Sequence, residues 1–293
     1  MLKAIQAELY KLFKNRTFKV LICVAVLLST LTVVMCSSVF EKILNDSLGN
    51  MPQDQKEVLM EQLTSMSESE AIVTPGQLGI QLQAKDMMNP TSIEVYHASF
   101  GSGVIEIIIG ILVGALIAKE YSQGTIKNFL AYGKRREEFY LAKFVSMVIA
   151  VTIILAVMTI LPTIVVTFMN GWGKAFEISQ LLGMIKTFVA SVIAGSEVAA
   201  LAMIIATLVK SNGATIGITV AIFIGIPTLA GFLYGIYPWF DRVYEVLPFY
   251  NSALATSIKA GNGDLLRSVI ISLVTIAISL FVGIKIFKSQ DIK

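Results

Sequence analysis

Two carboxylates stand in uncharged stretches where a carboxylate is costly. Glu106 interrupts the run 98–118, and Glu197 lies in the run 187–209, 12 residues before its end. On insertion scales an acid at mid-bilayer costs about 2.5–3.5 kcal/mol, so each must face protein or water instead of lipid. Around Glu197 the residues Gly195, Ser196, Ala199 and Ala200 are small, as expected where helices or a pathway come close. Two chemistries answer to this pattern: a polar group lining a route through the membrane, or a hydrogen bond to a neighbouring helix. Both stay open at the level of sequence.

A second constellation lies in residues 117–143. It begins with Glu120 at the end of an apolar run and breaks at Gly124-Thr125. A short apolar stretch follows (Ile126, Phe129, Leu130), then a basic cluster with Arg135 and Arg136, and Lys143 enters the next run. An amphipathic segment of this kind seeks lipid headgroups or a groove on another protein. Other chemistry is missing. No GxxxxGK[ST] loop occurs, so the chain has no Walker site for ATP. One histidine, His97, excludes any site that needs two. Cys23 and Cys36 are 13 positions apart, about 20 Å along one helix, too far to bridge. The chain is not expected to be an enzyme by itself.

The elements that hold these residues follow from composition. Of 293 residues 55% are hydrophobic and only 15% charged, against about 25% in soluble domains. Mean hydropathy is +0.76. This excludes a soluble enzyme, a disordered chain and a nucleic-acid-binding module. About 20 apolar helical residues cross a bilayer core. The uncharged runs predict six helical spans near 18–40, 98–118, 144–168, 187–209, 213–235 and 268–287, in one all-α membrane domain covering 1–293. Residues 1–17 predict an amphipathic interfacial helix whose apolar face is Leu2, Ile5, Leu9, Leu12 and Phe13.

Charge sets the orientation. Fifteen of the 23 Lys and Arg fall before the first span, between spans two and three, in the turn at Lys210, and in the tail. Residues 41–100 carry nine carboxylates and three lysines. The positive-inside rule puts both termini in the cytoplasm and residues 41–97, 174–186 and 235–267 outside. The basic start and apolar middle of the first span resemble a signal peptide, but the 19-residue lead and long apolar run predict an uncleaved anchor. Within 41–97, residues 54–66 predict a helix, and Pro238 and Pro248 among aromatics predict short helices at the outer surface.

The order Glu120, Gly124-Thr125, Leu130, Arg135 or Arg136 and Lys143 resembles the signature of type-2 ABC exporter permeases. The basic N-terminal helix, six spans with cytoplasmic termini and Leu247-Pro248-Phe249 before the last span extend the resemblance over nearly the whole chain. It implies that residues 120–136 form a coupling helix on a separate ATPase dimer, which carries ATP and Mg. It also implies a second permease, a copy or a homologue. The permeases for bacteriocin immunity, bacitracin-type resistance and peptide export in that family imply an amphiphilic cargo (peptide antibiotic, drug or lipid-like) leaving through a bacterial plasma membrane. The long 41–97 loop departs from the shortest members. An ion-driven secondary transporter or channel, motivated by Glu106 and Glu197, is the main alternative, although no internal repeat accompanies it. A non-transporting immunity or scaffold protein is the other.

Overall fold

In the computed structural model the described residues are 1–36, 71–84, 89–126, 135–173 and 175–290, with isolated positions between 42 and 58. Of the helix expected at 54–66 only Asp54, Gln55 and Val58 are described, each helical; its other residues, as well as Phe129 and Leu130, lie outside. The described chain is helical, with one isolated bridge, Gly79 to Ser102, in place of any strand.

The chain opens with α1, Leu2–Lys14, and α2, Arg16–Met35. Asn15 separates them: its backbone is extended and its Oδ1 accepts from the amides of Thr17 (2.7 Å) and Phe18 (3.4 Å). That cap satisfies donors which an uninterrupted helix would have bonded internally, so the chain can change direction there. The face that α1 turns to the protein is Ala4, Glu8 and Leu12, at i, i+4 and i+8. Leu2, Tyr10 and Phe13 are exposed. The expected apolar face thus divides: Leu12 packs inward, whereas Leu2 and Phe13 point to the surroundings.

Five helices are long and apolar enough to cross a membrane: α2, then α6 (Arg136–Asn170), α7 (Ile178–Val209), α8 (Asn212–Gly231) and α11 (Asn262–Ser289). This is an all-α membrane protein. At 1.5 Å per residue the 35 residues of α6 reach about 52 Å, well beyond a hydrocarbon core of about 30 Å. The segment expected as an external connection at 174–186 is helical from Ile178 onward, because Glu177 and Gln180 cap each other there. Arg136 donates to the carbonyls of Phe287, Lys288 and Gln290, and Gln290 Nε2 donates to the carbonyl of Thr207. With the contacts of α1 on α6, these put both chain ends at one end of the bundle.

The run 98–118 is not one helix. It divides into α3 (Ser92–Ala98) and α4 (Val104–Val113), because Gly101 and Gly103 adopt φ of +63° and +75° between them. From α4 the backbone continues through a π turn, Gly114–Ala118, into α5, Lys119–Ser122. This helical stretch, 104–122, carries the charges of Glu106, Lys119 and Glu120. The Gly110/Gly114 pair lets α8 lie against it: a Cβ on Gly110 would meet Thr219 at 3.2 Å, and one on Gly114 would meet Asn212 Oδ1 at 2.5 Å. In α8 a π turn at Ala221–Gly225 precedes Pro227, whose ring would clash with the carbonyl of Phe223 in a regular helix.

At the opposite end two short helices, α9 (Pro238–Tyr244) and α10 (Pro248–Thr256), each start on proline. Tyr234, Phe240, Tyr244 and Tyr250 form a ring cluster between them. Residues 71–78 cross over α8 as a strap. Gly231 is needed there, since its Cβ would sit 2.7 Å from the carbonyl of Pro75.

Candidate functional site

Glu120 and Lys143, 23 positions apart in sequence, meet at the end that carries the chain termini. Lys143 is 2% exposed and its ammonium has three partners. These are Glu8 Oε2, Glu120 Oε1 at 2.8 Å and the carbonyl of Leu116 at 3.2 Å. The first two are ion pairs and the third is a hydrogen bond. Glu8, itself 3% exposed, reaches Lys11 through its other oxygen at 2.7 Å, and Lys11 reaches Glu120 at 3.2 Å. Lys11 is exposed, with 47% of its side chain open to solvent. Burial alone lowers an ammonium's pKa, but the Glu120 and Glu8 carboxylates outweigh it and hold Lys11 above its usual 10.5. Four charges from α1, α5 and α6 thereby form one cluster beside the point where the chain leaves α5 for the loop 123–135.

That loop leaves α5 by a left-handed turn. Gly124 has φ +68°, the Thr125 amide donates to the Glu120 carbonyl at 3.2 Å, and the Gly124 amide donates to the Tyr121 carbonyl at 3.2 Å. This crossed pair is a Schellman motif, which needs glycine at its left-handed position. Ile126, expected on a partner-facing surface, is buried in the chain's own core, so it anchors the loop. Arg136, expected in an exposed basic cluster, closes the carbonyl end of α11 and lies 6.0 Å from the Phe287 ring centre. Arg135 is exposed. Phe287 in turn stacks on Phe139 and meets Tyr121 edge-on. Composition and charge alone do not single out Glu8 or Lys11. The spacing Ala4, Glu8, Leu12 on one helical face was the available signal for Glu8.

The two intramembrane carboxylates sit elsewhere and apart. Glu197 is fully buried between α7 and α11, where Oε2 accepts from Ser272 Oγ at 2.6 Å. Gly195 beside it allows the approach of α6, as its Cβ would lie 2.8 Å from Val151 Cγ1. Glu106, in the first turn of α4, lines a cavity of about 70 Å³ beneath the 71–78 strap. Its Oε2 is shut from solvent and has no hydrogen-bond partner among the described residues. An apolar hollow of about 540 Å³ lies between α6 and α7 at the ends away from the chain termini, walled by Ile164, Phe168, Trp172 and Phe188. Among the described residues no group of three His, Cys, Asp or Glu could hold a metal ion.

Fold and site define an all-helical membrane protein with a buried ion cluster joining its first helix to the loop between α5 and α6. Residues 58–293 match the family described as "Protein of unknown function (DUF2705)", and the chain belongs to that family. The match includes Glu106, Glu120, Lys143 and Glu197, while Glu8 and Lys11 precede it. No curated protein matches the chain.

Proposed function

We propose that this chain is the transmembrane permease subunit of an ATP-driven exporter of the ABC type-2 kind. In this reading the helical stretch through α4 and α5 is the sixth span, both termini are cytoplasmic, and a separate ATPase dimer supplies ATP and Mg. A second permease, copy or homologue, completes the pathway. The observation that carries it is the ion cluster. An interfacial helix, the end of one span and the start of the next are tied by Glu8, Lys11, Glu120 and Lys143, and the loop 123–135 joins the second to the third. Movement of that loop by a docked ATPase would reach three helices through buried charges, which transmit force because breaking one pair leaves the other charge unanswered. Glu120, Gly124, Thr125 and Arg135 remain the docking candidates on its described edge, with Phe129 and Leu130 at its apolar centre. Ile126 and Arg136 support the loop from within.

The cargo in this reading is an amphiphile: a peptide antibiotic, a drug or a lipid-like molecule. The apolar hollow beside Phe168 and Trp172 supports an apolar portion entering from the membrane. Affinity-purified chain is expected to bring with it an ABC ATPase whose turnover depends on this chain. Replacing Phe129 and Leu130 together with Asp should release that ATPase while the permease still inserts. Normal assembly and transport in the double variant would remove the coupling role from this loop. An ion-driven carrier is the second reading, favoured by the unpartnered oxygen of Glu106. It predicts transport that follows an ion gradient with no ATPase present.

A further inference from the structure

Glu106 faces a cavity whose polar groups offer acceptors. Four of the hydroxyls lining it are already committed as donors: Ser102 to the carbonyl of Gln77 (2.8 Å), Ser191 to that of Thr187 (2.8 Å), Ser252 to Phe249 (3.1 Å) and Thr256 to Ala253 (2.9 Å), while Thr74, Gln77 and Tyr244 complete the polar lining. Each of those four keeps only lone pairs for a guest. No Lys, Arg or His lines this space. A second cavity of about 80 Å³ adjoins it and shares Val73, Gln77, Phe100 and Thr256. There the Gln83 carbonyl oxygen is buried without a partner. His97 Nδ1 lies 2.9 Å from the Thr256 carbonyl, which can only accept, so Nδ1 carries the proton and a neutral ring leaves Nε2 as an acceptor. The walls are aromatic: Phe223, brought inward at the π turn of α8, meets Phe249 edge-on at 5.4 Å, and Phe100 closes another side.

Lone-pair acceptors, a carboxylate with one unpartnered oxygen and aromatic faces are the complement of an organic ammonium. Each cavity exceeds the roughly 10–15 Å³ that one water needs, so a small alkylammonium head fits. Leu78 hangs over the entrance, close enough to Gly103 that a Cβ there would lie 2.3 Å from its Cδ2. We propose that these joined cavities bind the ammonium group of an amine-bearing amphiphile, with Glu106 as its counter-charge and Phe100, Phe223 and Phe249 as its walls. Identifying that amine with the exported cargo rests on the export reading; the binding site itself rests on the cavity.

The test uses the full chain alone in phosphatidylcholine nanodiscs, with ethylammonium chloride as the probe and sodium chloride and 1-propanol as controls. Ethylammonium should raise the thermal unfolding midpoint saturably, whereas neither control should. Glu106→Gln should weaken the apparent affinity about 10- to 100-fold, the loss expected for one hydrogen bond to a charged group. Phe249→Leu should weaken it less. If Glu106→Gln does not fold, the wild-type chain decides through dicyclohexylcarbodiimide labelling read by mass spectrometry. Ethylammonium should protect Glu106 and leave labelling of Glu197 unchanged. Equal stabilisation of Glu106→Gln, an equal response to sodium, no saturable shift, or no protection of Glu106 would each overturn the proposal. None of these readouts involves an ATPase, so the absence of an ATPase partner would end the export reading and leave this one standing.

Discussion

Glu8 and Glu106 are both carboxylates that the fold has largely removed from water, and their surroundings differ. Glu8 sits between two ammonium groups, each of its oxygens taken by a lysine, in a joint between α1 and α6. Glu106 lines a cavity, and its Oε2 has no hydrogen-bond partner among the described residues. The packing follows the same division. Around Glu8 the helices are in close contact, with Phe287 fully buried among Phe139, Tyr140 and Tyr121. Around Glu106 the strap, α8 and α10 leave room. A closed joint answers its charges from within the chain, whereas a binding site leaves one to be answered from outside.

The strongest test of that contrast is at Lys143. Lys143→Met should cost about 3–5 kcal/mol in unfolding free energy, because Glu8 stays buried and loses its closest cation. Adding Glu8→Leu to it should restore most of the loss, since a buried pair replaced by apolar groups is often nearly neutral. Chemical unfolding of the purified single and double variants measures both. A double variant no better than the single one would show that the cluster does more than answer its own charge.

A smaller effect is expected one layer away, where Gly283 of α11 meets Tyr140 of α6. A Cβ on Gly283 would lie 2.1 Å from the Tyr140 hydroxyl oxygen. Gly283→Ala should therefore destabilise by about 1–3 kcal/mol through overpacking. Tyr140→Phe removes that oxygen, which has no hydrogen-bond partner among the described residues, and should recover part of the loss. Thermal unfolding of the three variants is the measurement. A neutral Gly283→Ala would mean that this end is as loosely packed as the other.

The smallest effect belongs to the far end and is a pH slope. Burial pushes the His97 pKa below 6.5, only partly opposed by its hydrogen bond to the Thr256 carbonyl. The unfolded chain then takes up that proton more readily than the folded one. Stability is full above about pH 6.5 and falls as pH drops below it, by at most about 1.4 kcal/mol per unit. His97→Gln should flatten the slope between pH 5.5 and 7.5 relative to the wild type. An unchanged slope would assign the dependence to other groups.

Local features of this protein were legible because their causes are local. The break after α5 follows from Gly124-Thr125, since the Schellman turn needs a residue free to adopt positive φ. The prolines at 238 and 248 announced α9 and α10. α7 begins at Ile178, nine residues before the uncharged run that starts after Lys186, because the mutual cap of Glu177 and Gln180 starts the helix earlier than the apolar run does. The run 98–118 read as one helix although Gly101 and Gly103 break it, since glycine in an apolar run is ambiguous until its φ is known.

The sequence by itself determined that this chain lives in a membrane, that its long elements are helices, and which residues could carry charge inside them. Those follow from the length of apolar runs and from the need to satisfy every backbone group internally in lipid. Only the tertiary structure decided which side of each helix meets protein. In water an amphipathic stripe marks the inner face, but in lipid both faces are apolar and the marker vanishes. Hence Glu8 faces inward while Leu2 and Phe13 do not, Ile126 anchors its own core, Glu197 meets Ser272, and Glu106 opens on a cavity. Each depends on which helix lies alongside, a choice made by contacts between residues far apart in the chain.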